Sequence, residues 1–68
     1  MIEFEVGDMS CGHCVASITR ATKEVDASAR CDVDLAAKRV RIESTHPATE
    51  FSAAIAEAGF TPRLAADA

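Results

Sequence analysis

The hydrophobic residues of this chain change their spacing several times along its length, and that change constrains the fold more than any other feature. Ile2, Phe4 and Val6 alternate with Glu3 and Glu5, the period of a strand with one dry and one wet face. Gly7 and Asp8 end that run. From Cys14 onward the apolar positions are Cys14, Ile18, Ala21 and Val25, one stripe of a helix, with Arg20, Lys23 and Glu24 on the other side. The helix is expected over Val15–Val25, with Cys14 in its first turn and Ser10 as its N-cap. Asp26 to Ser28 break the pattern. Ala29, Cys31, Val33 and Leu35 then alternate with Arg30, Asp32 and Asp34, so Ala29–Leu35 reads as a second strand. Ala36-Ala37 makes a tight connection without a strong turn signal. Val40 and Ile42 lie between Arg39, Arg41 and Glu43 and mark a third strand. The wet faces of these two strands set acids against arginines, and such cross-strand pairs are expected to add modestly to the hairpin. Ser44 to Pro47 form a loop, with Pro47 suited to the first turn of a helix. Phe51, Ala54, Ile55 and Ala58 mark the second helical face, and Gly59 its stop. Phe60 to Ala65 read as a short last strand whose Pro62 fits a sheet edge. Ala66 to Ala68 are expected to fray.

The resulting order is β-α-β-β-α-β. Strands wet on one side and helices dry on one stripe are both satisfied when the two helices cover one face of an antiparallel sheet. This is the ferredoxin-like α+β sandwich, with expected strand order 4-1-3-2. Sixty-eight residues make one small domain, residues 1–68, with a small core. Three Phe and no Trp or Tyr leave that core to Val, Ile, Leu and Ala. The net charge of −4 argues against a nucleic-acid partner. No apolar run is long enough to span a membrane and no signal-peptide pattern is present, so a cytoplasmic setting that keeps thiols reduced is expected. The start at Met1 and the end shortly after the last strand lead us to expect a free-standing protein. Three cysteines cannot form a closed disulfide framework.

Chemistry concentrates in Met9-Ser10-Cys11-Gly12-His13-Cys14. Two cysteines three positions apart, at a strand-to-helix junction, present both sulfurs to one small ion, and the helix N-terminus favours their thiolates. Cu(I) prefers thiolate ligands and accepts two of them. An exposed pair binds tightly yet stays open to a third sulfur, as a carrier requires. Structural zinc takes four ligands, which this loop does not supply. A Cys-x-x-Cys pair also serves thiol–disulfide exchange, so an oxidoreductase is the alternative class. A c-type haem site needs His directly after the second cysteine, where Val15 stands.

Gly7-Asp8-Met9-Ser10-Cys11-Gly12-His13-Cys14 resembles the metal-binding loop of heavy-metal-associated domains, the small copper chaperones and the matching N-terminal domains of copper-transporting P-type ATPases. Val33-Asp34-Leu35 followed by Lys38-Arg39-Val40, and Glu57-Ala58-Gly59-Phe60, are similar to that family at the expected distances. The resemblance implies the ferredoxin-like fold, and a carrier rather than an enzyme. It implies Cu(I) held by Cys11 and Cys14, and delivery to the metal-binding domain of a copper-transporting ATPase. The same chemistry allows a copper-bridged homodimer. The family also includes mercury and zinc carriers; zinc-preferring members tend to have Asp before the first cysteine, where Ser10 stands. Two positions depart from the pattern. Ala27-Ser28-Ala29-Arg30 replaces the usual Gly-hydrophobic pair, and Phe60 stands where bacterial chaperones often carry Tyr. Cys-Gly-His-Cys is also similar to the active-site tetrapeptide of protein disulfide isomerases, but those resemble longer chains with a Trp before the first cysteine.

The remaining candidates have plainer readings. Met9 follows a strand beside a small core and is expected to pack there rather than ligate. His13 is expected in solvent, Phe60 at the loop end of the second helix, and His46 in a loop. Cys31 alternates with Val33 and Leu35 and is expected to face the core as a spectator. Cys11 is expected to be the more exposed sulfur, with Cys14 fixed by packing.

Overall fold

Alternation puts Ile2, Phe4 and Val6 on one side of β1 (Ile2–Val6), and all three are buried. The computed structural model describes residues 1–67 and carries this logic through α1 (Gly12–Val25), β2 (Arg30–Asp34), β3 (Arg39–Glu43), α2 (Ala48–Glu57) and β4 (Pro62–Asp67). The strands form one antiparallel sheet in the order β2-β3-β1-β4, which is the expected 4-1-3-2 read from the other edge. Phe4 lies opposite Val40 and Ile2 opposite Ile42, so the apolar residues of neighbouring strands share the face that both helices cover.

α1 buries Ile18, Ala21 and Thr22, and α2 buries Ala48, Phe51 and Ile55. Cys14, Val15, Val25, Cys31, Val33, Leu35 and Phe60 pack around this core. Thr22 lies outside the apolar stripe read from the sequence, yet it is fully buried. Its hydroxyl donates to the Ile18 carbonyl at 3.0 Å, which satisfies the group inside its own helix. Among the described residues no buried side-chain polar atom lacks a partner. The far end of the molecule, away from the Cys11–Cys14 loop, is tied by Asp26. Its carboxylate accepts from the Ser28 N–H and hydroxyl and from the Ser44 hydroxyl. The Lys23 ammonium donates to the Ala29 carbonyl, and Ala29 fills the core position where the usual Gly-hydrophobic pair is missing.

Several boundaries differ from the sequence reading. α1 starts at Gly12 rather than Val15, and its N-cap is Cys11, not Ser10. β2 is shorter than Ala29–Leu35, and β3 is longer than Val40–Ile42 by one residue at each end. α2 starts at Ala48 and ends at Glu57, with Pro47 as its N-cap rather than within its first turn. β4 begins at Pro62 and includes Ala66, which the sequence reading places in a fraying end; Ala66 pairs with Glu3 and Asp67 with Ile2 beyond a bulge in the β1–β4 ladder. Ala68, also placed in the fraying end, lies outside the described residues. The arginines of β3 face Asp32 and Asp34 in register but form their ion pairs on the other side. Arg39 reaches Glu3 at 3.1 Å and Glu5 at 3.7 Å, and Arg41 reaches Glu3 at 3.2 Å. β1 lies between β3 and β4, so its glutamates compete for those guanidiniums, and the half-buried Glu3 receives both.

Candidate metal centre

The loop after β1 is shaped by Met9. Its side chain is fully buried and its N–H donates to the Val6 carbonyl at 3.1 Å. The chain therefore turns tightly through the exposed Gly7 and Asp8, drops Met9 into the core, and lifts Ser10 and Cys11 to the surface. Cys11 is extended, with φ −155° and ψ 172°, and makes no side-chain cap. Its carbonyl accepts the Val15 N–H at 3.2 Å, the first helical bond. Cys14 lies in the third helical position. That places its sulfur in the first turn, on the side of the helix N-terminus.

The two sulfurs are 3.6 Å apart, with Cys11 exposed and Cys14 half-buried, the order of exposure expected for the pair. The Cys14 thiol is held below the usual cysteine range. The backbone N–H of Ser10 is the main cause, followed by the Cys11 thiol; partial burial opposes them, and the Cys11 N–H and Ser10 hydroxyl add to the lowering. These donors stabilise a thiolate, as does the positive end of the α1 dipole. Two further contacts fix the loop. The Lys38 ammonium donates to the Met9 carbonyl at 2.7 Å, and Asp8 accepts the Thr61 N–H at 3.3 Å. The second contact brings the segment after α2 to the same end. Gly59, at φ 102°, ends α2 with its own N–H on the Ala56 carbonyl and the Phe60 N–H on the Ile55 carbonyl. Phe60 is thereby delivered, half-buried, against the core near this loop.

Of the other candidates, Met9 packs in the core as expected. His13 is exposed and lines, with Ala16, Ser17 and Arg20, a groove of about 620 Å³ between the two helices. Among the described residues no group of three or more His, Cys, Asp or Glu side chains converges, so the sulfurs stand as a two-donor set. Cys31 packs half-buried against the core; it lies opposite Ile42, which lies opposite Ile2. That is the far end of the sheet from the loop that follows Val6. His46 sits in the loop before α2, with Nδ1 3.1 Å from Glu50 and its ring edge-on to Phe51. Lys38 belongs to this site although the sequence does not point to it. Its φ of 57° is a turn conformation that sequence reading seeks at Gly or Asn, and a lysine gives no such signal.

No curated protein sequence matches this chain. Among solved structures it is similar to the copper chaperone Atx1 of Synechocystis, at 33% identity over 93% of this chain and 100% of that one, with a TM-score of 0.90. It is similar to a gold-binding protein at 33% identity over 94% of this chain and 98% of that one, again with a TM-score of 0.90. It resembles the N-terminal domain of PacS, also of Synechocystis, at 27% identity over 96% of both chains and a TM-score of 0.82. The model of the heavy-metal-associated domain matches residues 3–61, a span that holds the cysteine loop, both helices and three of the four strands in full or nearly so. The chain belongs to the heavy-metal-associated domain family.

Proposed function

We propose that residues 1–68 act as one copper-carrying domain. It binds a single Cu(I) through Cys11 and Cys14 and passes it to the metal-binding domain of a copper-transporting P-type ATPase. The observation that carries the reading is the sulfur pair: one exposed and one half-buried, 3.6 Å apart at a helix N-terminus. The similarity to a copper chaperone, a gold-binding protein and a PacS domain supports a soft, thiol-seeking cargo. Two donors fall short of the four that a structural zinc takes. The reduced pair fits a cytoplasmic setting, where thiols are kept reduced.

The separation bears on how the ion is held. With metal–sulfur bonds of about 2.3 Å, an ion touching both sulfurs at 3.6 Å sits in a bent site. A straight S–metal–S arrangement needs the sulfurs about 1 Å further apart by the same bond length. The exposed Cys11 side chain has the freedom to supply that opening, whereas Cys14 is held within the helix. Transfer then proceeds by ligand exchange without change in oxidation state. A partner thiolate bonds to the bent side of the ion, the Cys11–metal bond breaks, and the freed thiolate takes a proton from solvent. A second partner thiolate replaces Cys14. The ion keeps at least two sulfurs throughout, so it is never released free. The acidic balance of the chain favours a partner with a complementary basic surface.

Transfer of Cu(I) to an acceptor domain bearing its own Cys-x-x-Cys, followed for the wild type, Cys11→Ser and Cys14→Ser, tests this. Both substitutions should weaken binding and slow transfer. Unchanged binding and transfer in either one would refute the two-thiolate carrier.

A further inference from the structure

We infer that Lys38 is a positioning residue for the metal centre: its ammonium holds the Met9 carbonyl and so fixes the loop that presents Cys11. The inference deepens the copper-carrier reading and rests on it. Lys38 closes the turn between β2 and β3 and adopts φ 57°, the left-handed region that a side chain with a Cβ enters only at a cost. Glycine or asparagine fills such a position more cheaply. In that conformation Lys38 makes three bonds. Its N–H donates to the Leu35 carbonyl at 3.3 Å and its carbonyl accepts the Val6 N–H at 2.8 Å. Its ammonium reaches the Met9 carbonyl, 29 residues away in sequence, at 2.7 Å. The last residue of β1 and Met9 of the cysteine loop are thus both fastened to one lysine.

Cys11 depends on this fastening. It makes no side-chain cap, and among the described residues its exposed sulfur has one hydrogen-bonding partner, the Cys14 sulfur. Its position is therefore set by the backbone on either side: the first helical bond after it, and Met9 before it. The Asp8 carboxylate, which accepts the Thr61 N–H, makes a longer tie at 3.3 Å on the exposed side of the turn. Charge adds to the argument. Cu(I) with two thiolates carries a net negative charge, which a nearby cation favours. Arg39, next in sequence, is held by Glu3 and Glu5. The Lys38 ammonium is instead bonded to the neutral Met9 carbonyl, and among the described residues it forms no ion pair with a carboxylate.

The test compares the wild type with Lys38→Met, Lys38→Arg and Lys38→Gly in two readouts. The first is amide hydrogen exchange in the metal-free protein, at Met9 and at sheet positions Phe4 and Val40. The second is Cu(I) affinity by chelator competition. Loss of a charge-assisted bond in Lys38→Met should speed Met9 exchange and weaken Cu(I) binding, each about tenfold, while Phe4 and Val40 exchange as before. Lys38→Arg should restore most of both. Lys38→Gly relieves the backbone strain, so it should keep global stability yet lose affinity as Lys38→Met does. Wild-type exchange and affinity in Lys38→Met would overturn the inference, as would full affinity in Lys38→Gly. A wild type that fails to bind Cu(I) would instead refute the carrier reading, and the exchange data would still decide whether Lys38 clamps the loop.

Discussion

Met9 lies two residues before Cys11 and carries a sulfur of its own, so replacing it separates packing from ligation. Its side chain is fully buried within the core cluster. Truncation to Ala removes its methylenes and thioether and leaves a cavity, a change that costs about 2–5 kcal/mol in well-packed cores. A chain of this length has a total stability of roughly 3–10 kcal/mol, so Met9→Ala removes a large share of it. Taking about 3 kcal/mol, and about 4–8 °C for each kcal/mol in a domain this small, the midpoint should fall by about 12–24 °C. Met9→Leu keeps volume and hydrophobicity and should cost less than about 1.5 kcal/mol. Thermal unfolding by circular dichroism gives the stability of each variant, and chelator competition gives its Cu(I) affinity. Met9→Leu should bind Cu(I) as the wild type does. A tenfold loss of affinity in Met9→Leu with its stability intact would show that the thioether ligates the metal and that the packing argument is wrong.

Acid should expose the Asp26 network at the opposite end. Hydrogen bonds from the Ser44 hydroxyl first, then from Ser28, lower the Asp26 carboxyl from the usual 3.8 to about 2. A lowered carboxyl stabilises the fold above its unfolded pKa, and that contribution is lost as pH falls from about 4 through 2. Urea midpoints measured from pH 7 to pH 2 should therefore show Asp26→Asn less stable than the wild type at neutral pH and less sensitive to acid within that window; equal acid sensitivity would contradict the network. Gly59 has φ 102° and open space where a Cβ would project, so its constraint is the backbone alone. Gly59→Ala should cost more than about 1 kcal/mol in urea unfolding, and a neutral outcome would show that the α2 terminus relaxes freely.

Element order and the helix-covered face were legible because each apolar run keeps one period, and the β-α-β-β-α-β order then points to the split βαβ sheet. What escaped was decided by neighbours distant in sequence. Alternation alone assigns the ion pairs of Arg39 and Arg41 to the β2–β3 hairpin, but the sheet places Glu3 and Glu5 on their other flank. Ala66 reads as a loose end until the bulge lets it pair with Glu3. Thr22 falls outside the apolar stripe, and its burial becomes intelligible with its hydroxyl on the Ile18 carbonyl. At the candidate site, Cys11 and Cys14 stand out in the sequence through spacing alone. Their 3.6 Å separation follows from Cys11 being the N-cap and Cys14 lying in the first turn. Ser10 is the better capping residue by chemistry. The buried Met9 places the loop so that Cys11 takes that position instead. Lys38 could not be read in advance, since its contact with Met9 exists only once β1 and β3 are paired.

The central claim is that Cys11 and Cys14 together hold one Cu(I). Its most direct measurement is an anaerobic titration against a Cu(I)-specific chelator, run on the wild type, Cys11→Ser, Cys14→Ser and Cys31→Ala. The account predicts one Cu(I) per wild-type chain, a large loss of affinity in each of the first two variants, and wild-type affinity in Cys31→Ala, whose thiol packs at the far end of the sheet. Full affinity in Cys11→Ser or Cys14→Ser, or a loss confined to Cys31→Ala, would contradict it.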